Sequence, residues 1–246
     1  MRRESSVSDD EANSDQASLE VIVRGAEKTF DNAEHLFFEA ELLGKAGGVA
    51  RALSLHQISL EECAKVDTLG AWGMSLVMGL EVDQKKVLAA FARHASKNKS
   101  NAYMLEGSEA EKAAKLRGDL QGAIEAFKRR QVEFHETSNH AKNASLYVDW
   151  EDGAFVAPSE RITQAMLAEI KERNAQFLGY AHNSVRMLKR LAASPDEIRG
   201  MFSGFVEQAE KLRDSKPDNA IEAIETWLWE FLETELRKRR REDPAQ

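Results

Sequence analysis

Cysteine is nearly absent: Cys63 is the single one in 246 residues, which excludes an internal disulfide framework and any multi-cysteine zinc site. That scarcity fits a reducing compartment, and a cytoplasmic location is the expectation. Proline and glycine are also sparse, at 4 and 14 residues, so long helices are favoured over an all-β fold. No apolar run approaches the ~20 residues that span a bilayer, and no membrane partner is expected. The opening stretch MRRESSVSDDEANSDQAS is charged without an apolar core, so a secretory signal is not expected either. Gly-rich phosphate loops, HExxH and a serine-nucleophile elbow are all missing. The six histidines and scattered carboxylates show no recognisable ligand spacing, so neither a metal nor another cofactor is expected.

What the chain does have is charge and helix formers. Hydrophobic residues make up 42% and charged residues 31%, enough to bury a sizeable core in one large or two small domains. The net charge of -8 weighs against a generic nucleic-acid coat, because phosphate binding draws on clustered Lys and Arg. DNA is not an expected partner, while RNA could still be met through a local basic patch.

Residues 1–17 are acidic and lack aromatics, and read as a disordered tail. Ser18 suits the N-cap of a first helix to about Lys45, with Ile22, Ala26, Phe30, Ala33, Phe37, Ala40 and Leu43 at helical spacing. Gly47-Gly48 ends it. A second helix is expected over about 49–80 and a third over about 82–105. Ser108 and Glu111 form a capping box for a fourth helix to roughly Asn139. A fifth starts at Pro158-Ser159 and continues to about Ala193. The SPDE stretch at 194–197 opens a sixth, ending near Lys216. The seventh carries Ile221, Ile224, Leu228, Phe231 and Leu232, and closes on RKRRR at 237–241, read as a solvated helix end. Between the fourth and fifth helices, NASLYVDWEDGAFVAP breaks the pattern, and Asp152-Gly153 suits a tight hairpin turn. The fold class is therefore all-α with about seven helices and one short β-hairpin near residues 145–157. Residues 18–195 form the main domain, and 196–246 supply C-terminal helices packing on it.

Some polar residues fall on apolar faces. In the second helix Leu55, Ile58, Glu62, Val66 and Leu69 form one stripe, so Glu62 needs a partner. Lys65, three residues on, is within side-chain reach, and Glu61 is four residues from the same lysine. In the third helix His94 and Lys97 share a face. If these helices pack antiparallel, Glu62, Lys65, His94 and Lys97 could gather in one cleft, able to move a proton and stabilise phosphate charge without metal. The alternative is an ordinary ion pair and a polar helix face. In the fourth helix Arg130 and His135 have four residues between them, and Arg129 and His135 five. Histidine as base and arginine on phosphate would suit RNA cleavage by its own 2′-OH, although both types are common in charged helices.

Three stretches carry a resemblance. NAEHLFFEAELLGKAGGVARALSLHQISLEECAK leads to an E-x-x-K pattern, H-x-x-K stands at His94 and Lys97, and LYVDW-x-DG is followed by Pro and a resuming helix. Over roughly residues 20–195 the chain resembles AbiV-type abortive infection proteins, within the HEPN class of helical domains. Where that family usually has Gly before the lysine, this chain has Ala64.

The resemblance implies an HEPN-like helical bundle and an anti-phage effector that arrests growth or translation of the infected cell. It also implies a metal-independent HEPN-type ribonuclease, with RNA or the translation machinery as target, a phage-encoded activator protein and a homodimer. The Glu62, Lys65, His94 and Lys97 cluster ranks first as the catalytic set, and Arg130 with His135 second. A non-enzymatic helical protein that blocks translation by binding a partner is the alternative. A nucleotide-handling protein serving a neighbouring transferase is a third reading. The hairpin is expected to pack over the helices as a family marker.

Overall fold

A computed structural model describes residues 18–80, 82–91, 101, 105, 107–200 and 202. The first helix, α1 (Leu19–Lys45), starts where Ser18 Oγ accepts the Val21 N–H at 3.3 Å. Ile22, Ala26, Phe30, Ala33 and Ala40 line its buried face. Gly47 adopts φ 84°, a left-handed conformation open to glycine, and turns the chain into α2 (Val49–Val77). The later helices are α3 (Gln84–Phe91), α4 (Glu109–Leu116), α5 (Leu120–Leu146), the single-turn α6 (Pro158–Arg161) and α7 (Gln164–Ala193).

Helix α2 is the axis of the bundle. Helices α1, α5 and α7 all pack against it, and 17 of its 29 residues are buried. Gly25 lies against Leu69 and Gly44 against Ala52, so α1 runs antiparallel to α2. Asn174 meets His56, Ser184 meets Asp67, and Leu188 lies beside Gly73, so α7 runs parallel to α2. A Cβ on Gly73 would stand 2.6 Å from Leu188 Cδ2 and 3.2 Å from Leu19 Cδ1. The glycine therefore permits the close approach of three helices.

Two expected helices are broken by local chemistry. The fourth divides at Arg117-Gly118-Asp119, where Gly118 takes φ 69° and Asp119 caps α5 by accepting the Gly122 N–H at 2.8 Å. Helix α5 then runs past Asn139 to Leu146. The fifth divides at Ile162, whose extended backbone lets Thr163 cap α7 through the Met166 N–H. After Ser194 the chain is helical again over 195–200. The tail at 1–17, most of the remainder of the third helix, and the sixth and seventh helices beyond 202 lie outside the described residues.

The hairpin forms as expected from β1 (Asp149–Glu151) and β2 (Ala154–Val156), with Trp150 opposite Phe155. Asp152 and Gly153 have φ 47° and 89°, the paired positive values of a type I′ turn. The expectation that it packs over the helices is corrected. Trp150 and Phe155 are 58% and 74% exposed and stack edge to face on each other instead. Two three-residue strands have too little surface to cover a bundle. The fold is an all-α bundle carrying one short antiparallel ribbon.

Candidate functional site

Between Ser54 and Glu62, α2 turns six polar side chains inward: Ser54, His56, Gln57, Ser59, Glu61 and Glu62. A helix surrounded by neighbours has little solvent face, so these groups look for partners within the fold, on their own helix or on its neighbours.

Glu62 and Lys65 form the expected ion pair, at 2.5 Å, with side chains 12% and 21% exposed. Glu61 takes a different partner. Its carboxylate accepts from Lys142 Nζ of α5 at 2.8 Å, in a pair whose side chains are 1% and 11% exposed. Asn101 donates to the Leu60 carbonyl at 2.8 Å, which brings the chain beyond α3 back onto α2, two positions from Glu62. His94 and Lys97 lie outside the described residues.

Arg130 is bound into a separate arrangement. Its Nη2 stands 3.1 Å from Glu111 of α4, and its guanidinium lies over the Phe127 ring at 5.1 Å. Lys115 meets the other oxygen of Glu111 at 3.2 Å, so the carboxylate clamps α4 to α5. His135 is half-buried on α5. Five positions along a helix turn the side-chain direction by about 140°, so Arg130 and His135 leave different sides of α5.

A third cluster escaped the sequence reading. His56 is fully buried, with Nδ1 3.1 Å from Asn174 Nδ2 of α7. Asn174 Oδ1 stands 3.1 Å from Ser59 Oγ, which donates to the Ala33 carbonyl of α1 at 2.7 Å. At the outer end, His56 Nε2 faces Glu41 of α1 at 3.6 Å, and Glu41 pairs with the half-exposed Lys171 of α7. Burial lowers the His56 pKa, Glu41 opposes that shift, and Lys171 reinforces it. The ring is therefore a neutral strut joining three helices, with no access for a phosphate. The signal in the sequence was His56 and Ser59 three apart on a helix without a polar face, but Asn174 stands 118 positions away.

Cys63 is also inert, since burial together with Asp67 and Glu62 pushes its thiol pKa far up. Among the described residues no three His, Cys, Asp or Glu side chains converge as a metal site.

Residues 21–179 match the HEPN_AbiV family model, described as AbiV. The matched span includes every residue of both candidate catalytic sets, and the hairpin. Among curated proteins, the uncharacterized protein y4gJ of Sinorhizobium fredii (strain NBRC 101917 / NGR234) is 61% identical over 121 residues. That alignment covers 49% of this chain and 63% of the relative, so the chain spans less than two thirds of that protein's length. No solved structure matches. With the family model covering well over half of its residues, on an all-α bundle with the LYVDW hairpin in place, the chain belongs to the AbiV family of HEPN-class proteins.

Proposed function

We propose that this protein is an anti-phage abortive infection effector that arrests growth or translation of the infected cell through metal-independent RNA cleavage. Membership of the AbiV family supports the biological role. The chemical reading rests on one observation: Asn101 returns the chain onto Leu60, beside the partly exposed Glu62–Lys65 pair. Residues 92–100 precede that contact and carry His94 and Lys97. In this reading His94 takes the 2′-OH proton, the 2′-oxygen bonds to phosphorus as the P–O5′ bond breaks, and the leaving 5′-oxygen takes a proton from water. Lys65 and Lys97 hold the phosphate and its transition-state charge, and Glu62 orients Lys65 or His94.

Arg130 and His135 rank second, because Arg130 is already engaged by Glu111 and Phe127. Their different directions on α5 would be reconciled in a homodimer, where the arginine of one copy and the histidine of the other meet on one phosphate. A phage-encoded activator would release the activity. A second reading, arrest by binding a partner without cleavage, is favoured by the structural use of Arg130 and by the exposed Trp150 and Phe155.

Sequencing RNA 5′ ends after induction, with and without phage, separates these readings. The expected outcome is discrete new ends with wild type that His94→Ala loses and His135→Ala retains. Loss with His135→Ala alone would move the site to α5. Arrest with intact RNA would establish the binding reading.

A further inference from the structure

Along one side of the α2–α7 contact, from Asp67 and Ser184 onward, the two parallel helices border an open groove of about 450 Å³. Such a volume suits a small organic ligand. Its wall is apolar: Met74 from α2, Met187 and Leu191 from α7, and Ile198 and Phe202 from the segment after α7. Met187 is 53% exposed and borders the groove, so its side chain is accessible to a ligand there. Methionines at two points of the wall provide a surface that adapts to unbranched chains.

Among the described residues, one end of the groove is polar and carries a single negative charge. Asp67 of α2 lines it, half-buried, with Asn183 and Ser184 of α7 beside it. Ser184 Oγ donates to Asp67 Oδ1 at 2.9 Å. Among the described residues no cation pairs with this carboxylate, whereas Glu41, Glu61, Glu62 and Glu111 each have a lysine or arginine. Burial raises the Asp67 pKa and the serine hydrogen bond offsets that only in part. A carboxylate held against an apolar wall with one neutral donor is incompletely compensated, and a positively charged group placed there gains a charge-assisted hydrogen bond.

We propose that this groove is a binding site for a small amphipathic cation, with an ammonium group at Asp67 and an unbranched apolar body along the methionine-lined wall. An anionic ligand of equal length is repelled by the same carboxylate. A neutral ligand of equal length would gain the wall but not the charged contact. The site is walled by the C-terminal halves of α2 and α7, outside the residues assigned to RNA cleavage, so it stands whether or not that reading does.

The test uses the full chain and three probes of equal length: octylammonium, octanol and octanoate. Binding is followed by calorimetry and by the methyl NMR signals of Met74 and Met187. Octylammonium should bind about tenfold or more tighter than octanol, as a hydrogen bond to a charged group predicts. Octanoate should be weakest, and both methionine signals should shift. Asp67→Asn should bring octylammonium to the affinity of octanol, and Ala71→Trp, which fills the groove, should remove both. Should Asp67→Asn fail to fold, Ser184→Ala keeps the question open to measurement, because removing the competing donor should preserve or strengthen the ammonium preference. Equal binding of octanol and octylammonium, or an ammonium preference that survives Asp67→Asn, would overturn the proposal. So would failure of all three probes to bind, which would mean that the groove is closed by the protein's own chain.

Discussion

Glu61 and Lys142 show how much depends on one buried side chain. Their ion pair joins α2 to α5 with little solvent to share the charge. Lys142→Ala should cost about 3–5 kcal/mol, chiefly from the carboxylate left behind, whereas Glu61→Leu with Lys142→Met should recover most of it. Urea denaturation of the single and double variants checks this. His56 adds a pH dependence of known sign. Its folded-state pKa lies below the ordinary 6.5, so between the two values the unfolded chain binds more protons. Its contribution to stability is complete above about pH 6.5 and is lost as the pH falls through that value toward the lowered one. His56→Gln should flatten that part of a stability–pH curve. Asp67 has the opposite sign: its folded-state pKa is raised, so stability falls as the pH rises through the window above 3.8. Asp67→Asn should stabilise the protein at pH 7, with the gain shrinking on acidification. None of these couplings was readable from spacing, because each partner comes from another helix.

At the scale of the element, the termini were more legible than the interiors. Ser18, Ser108 and Asp152-Gly153 act locally, and each sits where its chemistry predicts: two side-chain caps and one type I′ turn. Gly118 and Ile162 were missed because a helical pattern continues on both sides of them and the break is only a turn long. Helix α2 was read from one apolar stripe, yet it is enclosed by three neighbours, so residues off that stripe are buried as well. Gly73→Val should therefore destabilise by about 2 kcal/mol or more, because the added methyls enter space held by Leu188 and Leu19. Gly153→Val places a branched residue at φ 89° and should cost on the order of 1–2 kcal/mol, confined to the hairpin. Circular dichroism melts for the first, and hairpin amide shifts for the second, would show the difference.

For the molecule as a whole, α1, α2 and α7 are tied together by the His56–Asn174–Ser59 strut and by Glu27–Lys189 and Glu41–Lys171 across the surface. Amides of α2 should exchange with solvent most slowly, and those of the exposed hairpin fastest. A hairpin as protected as α2 in the isolated protein would show that it is covered by something, a second copy included.

Helical class, element order, the hairpin and its turn type follow from local rules that the chain carries in itself: helical spacing, caps, and glycine where φ must be positive. The Glu62–Lys65 pair belongs with them, since both residues lie on one turn. The parallel course of α7 along α2, the choice of Lys142 for Glu61, the capture of Arg130 by Glu111 and the groove at Asp67 depend on which surfaces meet. Those pairings join residues far apart in the chain. They are selected by packing, where burial makes an unpaired charge costly and shape decides which neighbour can pair with it.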